Sequence, residues 1–260
     1  DQGFAQLDIA ELAPDIVRLA DRHFAGINHG VSGQRGVHVF YTDGRNYLLT
    51  QNKRYDLITI ERTSIWSAGA ANLYNREFYQ IAATRLAPGG VLQQRVPLHH
   101  MRPIDFITLV NSARAVFKYV NFYVGGGQGI LVITNDTAAA VQNPAAEAVL
   151  TRGLQAAHAT ATVPGLKASL VADANAVDQM LTRKLGPAGE RLFLSTDNNL
   201  YLEYATPKGN AVTTDTAQQI LGLFTSPSAA AGPVASVASV QQFASAASAR
   251  ARLARNPGGA

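Results

Sequence analysis

The chain has 260 residues, 47% hydrophobic and 15% charged, enough apolar material for one large domain with extensions. Its net charge is +4, but Arg250, Arg252 and Arg255 lie in residues 226–260, which hold no acid; the basic pI near 9.4 therefore reflects a tail, not the concentrated basic face that nucleic acid needs. Cysteine is absent, which excludes a disulfide scaffold, a Cys-zinc site and a thiol nucleophile, and no apolar run reaches the ~18 residues of a membrane span.

The chain opens on Asp1, with no charged-then-apolar signal pattern, and is expected to be a piece of a longer protein. Residues 1–136 alternate β-rich runs with helical ones. Gln6–Glu11 reads as a strand, and Pro14–Phe24 as a helix with Ile16, Val17, Leu19 and Ala20 on one face. Pro14 and Asp15 suit a helix start. Val37–Tyr41 is a strand, Gly44–Thr50 a short helix, and Tyr55–Ile60 a nearly all-apolar strand of the buried parallel kind. Leu73–Leu86 reads as a helix stopped by Ala87-Pro88-Gly89-Gly90. Gly90–Val96 is a strand and Ile104–Phe117 a helix. Val120–Val124 and Gly129–Thr134 are strands separated only by Gly125-Gly126-Gly127-Gln128. A connection that short is a hairpin, so the sheet should end on an antiparallel strand. The expected class is α/β: a class I methyltransferase-like Rossmann sheet, mostly parallel and N-terminally truncated.

Residues 137–225 are expected to form a mainly helical extension, with helices at Ala138–Leu154, Leu170–Leu185 and Thr216–Phe224. Residues 226–260 contain 12 Ala and 6 Ser. So little large apolar surface cannot offset ordering entropy, and a disordered or weakly helical tail is expected.

Ligands of open α/β sheets bind outside the carboxyl ends of the strands. There the first strand ends on Glu11, the second on Asp43-Gly44 and the third on Glu61. One acid can accept both ribose hydroxyls, and another, followed by glycine, can take an adenine amino group while the ring approaches the backbone. Singly, Glu11 reads equally well as an acid at a helix N-terminus and Asp43 as an N-cap. Together, at matching strand ends, they favour a nucleoside site.

The segment DLITIERTSIWSAGAANLYNREFY, with LAPGGVLQQRVPLHHM after it and STDNNLYLEYATPKGN at Ser195–Asn210, resembles the spermidine synthase (polyamine aminopropyltransferase) family. It is closest to bacterial spermidine synthase-like proteins, some of them fused behind a membrane region. The resemblance implies aminopropyl transfer from decarboxylated S-adenosylmethionine to a diamine such as putrescine, in the cytoplasm and without a metal. Intact S-adenosylmethionine, with methyl transfer, is the alternative; a non-catalytic family member is a third reading. Family members are often dimers, and no nucleic-acid partner is expected. On this resemblance Glu11 holds ribose, Asp43 with Gly44 holds adenine, and Glu61 acts on the attacking amine. Residues 62–72 form a gate loop carrying Ser64 and Trp66, closed by the segment with Tyr74 and Tyr79.

The chain also departs from the family pattern. The second carboxylate of the DxxD pair is Ser64, and Arg62 and Arg95 stand where neutral residues are expected. The glycine-rich loop after the family's first strand is missing. Gly125-Gly126-Gly127-Gln128-Gly129 does not replace it, because a strand rather than a helix follows. His99-His100 reads as loop, and Ser195-Thr196-Asp197 as a turn or cap.

Overall fold

The structure is a computed structural model. It describes residues 4–61, 65–67, 69–137, 151–152, 154–155, 161–211 and 214–225. The expected helix at Ala138–Leu154 lies largely outside them, and the tail entirely so.

Strand β1 (Leu7–Glu11), helix α1 (Pro14–Asn28), β2 (Val37–Tyr41), α2 (Gly44–Thr50) and β3 (Tyr55–Ile60) follow the hydrophobic pattern within a few residues. Next come α3 (Arg76–Arg85), β4 (Leu86–Val96), α4 (Pro103–Arg114), β5 (Tyr119–Gly125) and β6 (Gln128–Thr134). The C-terminal part adds α5 (Val163–Ala168), β7 (Leu170–Ala172), α6 (Ala174–Leu192), α7 (Tyr201–Ala205) and α8 (Thr216–Gly222).

β1 and β2 form a parallel pair in which Glu11 lies opposite Tyr41. The other strands form one sheet in the order β3-β4-β6-β5-β7. β3 and β4 are parallel, and β6 runs antiparallel to both β4 and β5. So β3, β4 and β5 point the same way and the last strand of the alternating part runs against them, as the short connection requires. That connection turns at Gly126 and Gly127, whose φ angles of 59° and 77° are easy only for glycine.

The core lies around the five-stranded sheet. Phe78, Tyr79, Phe106, Phe122, Leu92 and Leu131 are all fully buried. Phe106 and Phe122 pack with ring centroids 5.0 Å apart, and Phe224, following α8, closes on Phe122 at 5.5 Å. Each such side chain contributes about 1.5–3 kcal/mol through burial.

Three expectations change. β3 has one buried residue, Ile58, although its sequence reads as a fully buried strand. Among the described residues it pairs with β4 alone. Its other edge faces a groove of about 600 Å³, whose far wall is Leu7, Asp8 and Ala10 of β1. The expected helix from Leu170 begins instead after Asp173, whose carboxylate caps it by accepting from Ala176 N–H at 2.8 Å. That leaves Leu170–Ala172 free to pair with the edge of β5. Finally, β4 is bounded at Leu86 rather than at Gly90, but residues 87–90 bulge out of the ladder: Tyr55 faces Leu86, and Leu57 already faces Val91.

Candidate functional site

Parallel pairing in full register brings the carboxyl ends of β1 and β2 together. Thr42 N–H donates to Glu11 O at 3.1 Å, which ties the two exits directly. The Glu11 carboxylate accepts from Ala13 N–H at 2.8 Å, at the entry to α1. Asp43 is the N-cap of α2, accepting from Asn46 N–H at 2.9 Å. Both acids thus make the bonds their structural readings foresaw. Among the described residues each accepts one such bond, fewer than the about four acceptor positions of an ionised carboxylate.

Glu61 directly follows β3. Its Oε1 accepts from Thr59 Oγ1 at 3.2 Å and from Gln93 Nε2 of β4 at 2.9 Å. The side chain is exposed and held by two donors from neighbouring strands. Gly44 and Ile60 both line the groove between β1 and β3. Glu11, Asp43 and Glu61 themselves are not among the residues that line it.

The loop after Glu61 is less complete. Ser64 and Arg62 lie outside the described residues. Trp66 is half-buried and meets His100 edge-on, with ring centroids 6.3 Å apart. Tyr74 and Tyr79 are fully buried. The Tyr74 hydroxyl donates to Arg95 O at 3.0 Å, and the Tyr79 hydroxyl to Gln94 Oε1 at 2.6 Å. Burial pushes the Tyr79 phenol well above its ordinary value, so it stays protonated and donates. The structure places both tyrosines in the packing beneath the loop.

Asp8 escaped the sequence reading. Its side chain is only 1% exposed, yet it is an acid. It accepts from Tyr47 Oη at 2.8 Å, Tyr55 Oη at 2.9 Å and Lys53 Nζ at 2.9 Å, and its other oxygen accepts from Gln6 and faces His38 Nδ1 at 3.2 Å. Burial alone would raise this carboxyl; the bonds from Gln6, Lys53, Tyr47 and Tyr55 outweigh it and hold the group far below the usual range. The cluster bridges β1, α2 and β3 beside the groove. The one available signal was an acid between Leu7 and Ile9 inside a strand.

Ser195–Asp197 forms the expected turn, with Thr196 and Asn199 exchanging side-chain-to-backbone bonds. It also reaches further than expected. Arg45, two residues after Asp43, donates to Asp197 Oδ1 at 2.9 Å and pairs with Oδ2. Among the described residues, no group of three or more His, Asp or Glu is placed to hold a metal ion, and no helix is long and apolar enough to cross a membrane.

Comparison with known proteins bears on the same region. Residues 3–125 match the family described as the spermine/spermidine synthase domain. Polyamine aminopropyltransferase 2 of Hyperthermus butylicus is 27% identical over 117 residues, covering 45% of this chain and 38% of that protein. Its namesake in Pseudomonas aeruginosa is 29% identical over 117 residues, covering 44% and 34%. The chain thus spans little more than a third of the length of these curated relatives. Among solved structures, a probable spermidine synthase from Corynebacterium glutamicum aligns with a TM-score of 0.48 at 18% identity, over 67% of this chain and 60% of that one.

Proposed function

We propose, from the match of residues 3–125 to the spermine/spermidine synthase domain, that this chain serves aminopropyl transfer from decarboxylated S-adenosylmethionine to an amine such as putrescine. The supporting observation is that Glu11 ends β1, Asp43 follows β2 and Glu61 follows β3, with the exits of β1 and β2 tied by Thr42 N–H donating to Glu11 O. Three carboxylates near one rim favour a ligand rich in hydroxyl and amino donors and bearing a positive sulfonium.

In this reading Glu11 accepts the ribose hydroxyls and Asp43 the adenine amino group, with Gly44 letting the ring approach the backbone. Trp66 offers an aromatic wall beside the cationic substrates. Glu61 takes the proton from the acceptor's ammonium, because nitrogen cannot attack while it carries that proton. The amine's electron pair then forms a C–N bond to the carbon next to sulfur. The C–S bond breaks, its pair returns to sulfur, and methylthioadenosine leaves uncharged. Thr59 and Gln93 fix the orientation of the Glu61 carboxylate, so part of the positional entropy is removed before the step. The division into a transfer part at 1–136 and a buttressing part at 137–225 belongs to the same proposal.

The test separates binding from chemistry. Glu61→Gln should lower the transfer rate by at least a hundredfold while methylthioadenosine binds within about threefold of wild type, since only the proton step is removed. Parallel loss of transfer and binding would refute the role given to Glu61.

A further inference from the structure

A polar network away from the strand ends centres on Arg45 and Asp197. Arg45 sits in the first turn of α2, two residues past Asp43. Besides its two contacts with Asp197, its guanidinium donates to Asn72 O at 3.1 Å. Asp197 Oδ1 also accepts from Asn75 Nδ2 at 3.2 Å, and Asp197 N–H donates to Glu77 Oε2 at 2.9 Å. Asn75 in turn accepts from the Ser195 hydroxyl at 2.6 Å, and Arg76 N–H donates to Ser195 O at 2.8 Å. Ser195 and Asn75 are fully buried.

Three segments far apart in sequence meet here: the turn behind Asp43, the 72–77 stretch leading into α3, and the 195–199 turn. The rest of the late segment is anchored independently. Thr216 Oγ1 donates to Leu98 O at 2.7 Å, and Gly209 lies so close to the His100 carbonyl that no Cβ fits. A fixed late segment gives Asp197 a fixed place from which to hold Arg45. The mutual effect is visible in the charges: Asp197 raises the Arg45 guanidinium's affinity for its proton, and Arg45 holds the Asp197 carboxyl below its ordinary value. The Arg45 side chain is 19% exposed and that of Asp197 39%. A two-pronged Arg–carboxylate contact in this setting constrains direction as well as distance.

We infer that Arg45 and Asp197 are positioning residues: their ion pair sets the Asp43–Gly44 turn against the stretch beginning at Asn72, so the late segment governs how the nucleoside end of the donor is held. The inference rests on the role proposed for Asp43, but its mechanical half does not.

The experiment uses the 260-residue chain with Asp197→Asn, which keeps the shape and removes the charge, alongside Asp197→Ala, Arg45→Ala and the double alanine variant. Amide hydrogen exchange is read at Asn46 and Tyr47 of α2 and at Leu131 in β6, and methylthioadenosine binding is read by calorimetry. Faster exchange is expected at Asn46 and Tyr47, by about tenfold, with Leu131 unchanged. The dissociation constant should rise by about tenfold in each variant, with the double variant no worse than either single one. In transfer assays KM for the donor should rise more than kcat falls, and Asp197→Glu should restore part of the binding. Unchanged exchange at Asn46, or unchanged binding in variants of a wild type that does bind, overturns the inference. If exchange at Asn46 responds but the wild type binds no methylthioadenosine, the nucleoside reading of Asp43 fails while the mechanical coupling stands.

Discussion

In α4, nine successive residues from Asp105 to Ala113 are buried; in α1, none is. Yet α1 has the clearer amphipathic pattern, and its apolar residues Ile16, Leu19 and Ile27 stand 56%, 49% and 77% exposed. Periodicity specifies that a helix has an apolar stripe, but whether the stripe is covered depends on what packs against it. The two regions are therefore held differently. Around α4 cohesion is apolar, with Phe106, Phe122 and Phe224 in mutual contact. Between β1, α2 and β3 cohesion is largely polar and converges on Asp8.

The contrast can be broken first at its strongest side. Phe106→Ala should destabilise the chain by about 3–5 kcal/mol, because the surrounding sheet and helices cannot fully collapse into the space; urea unfolding followed by far-ultraviolet dichroism measures it. Asp8→Asn is expected to cost about 1–3 kcal/mol by leaving Lys53, Tyr47 and Tyr55 short of their shared acceptor. Its effect should concentrate in β1 and β2, read as faster amide exchange there than in β6. Ile27→Ser, on the uncovered face of α1, should change stability by less than about 0.5 kcal/mol. A large loss there would mean that α1 is covered in solution.

Acid sharpens the same comparison. The Asp8 carboxyl titrates lower in the folded protein than in the unfolded chain. Between the two values the unfolded chain binds more protons, so stability rises with pH across that window. The Asp8 contribution is therefore complete above the unfolded carboxylate's ~4 and fades as pH falls below it. β1 and β2 should lose exchange protection below about pH 4 before β6 does, and Asp8→Asn should flatten that dependence. Asp197 and Glu77 are also held low, so the acid response of the whole chain has more than one source.

Much of the α/β order was legible in the sequence because it rests on local signals. Pro14 and Asp43 begin helices, Gly186-Pro187 kinks α6 just where the helical pattern stops, and Gly126-Gly127 turns the hairpin. The strand-end acids were legible for the same reason, since alternation alone locates strand ends. The pairing of Leu170–Ala172 with β5 was not, because a short apolar run reads the same as a strand or as the start of a helix. The Asp8 cluster and the Arg45–Asp197 pair were also hidden. Apart from Gln6 beside Asp8, their partners lie 30 to 152 positions away, and nothing in a single sequence marks which cation an acid will meet. Tyr74 and Tyr79 show the converse: a tyrosine in the loop-closing segment can face inward and use its hydroxyl to satisfy buried partners.

The central claim is that Glu11, Asp43 and Glu61 form one rim that holds an adenosine-bearing ligand. Its most direct test is a calorimetric titration of methylthioadenosine into the wild-type chain and into Asp43→Ala. Saturable binding to the wild type, weakened at least tenfold in the variant, is the expected result. Absence of saturable binding to the wild type, or equal affinity in both proteins, would contradict the account.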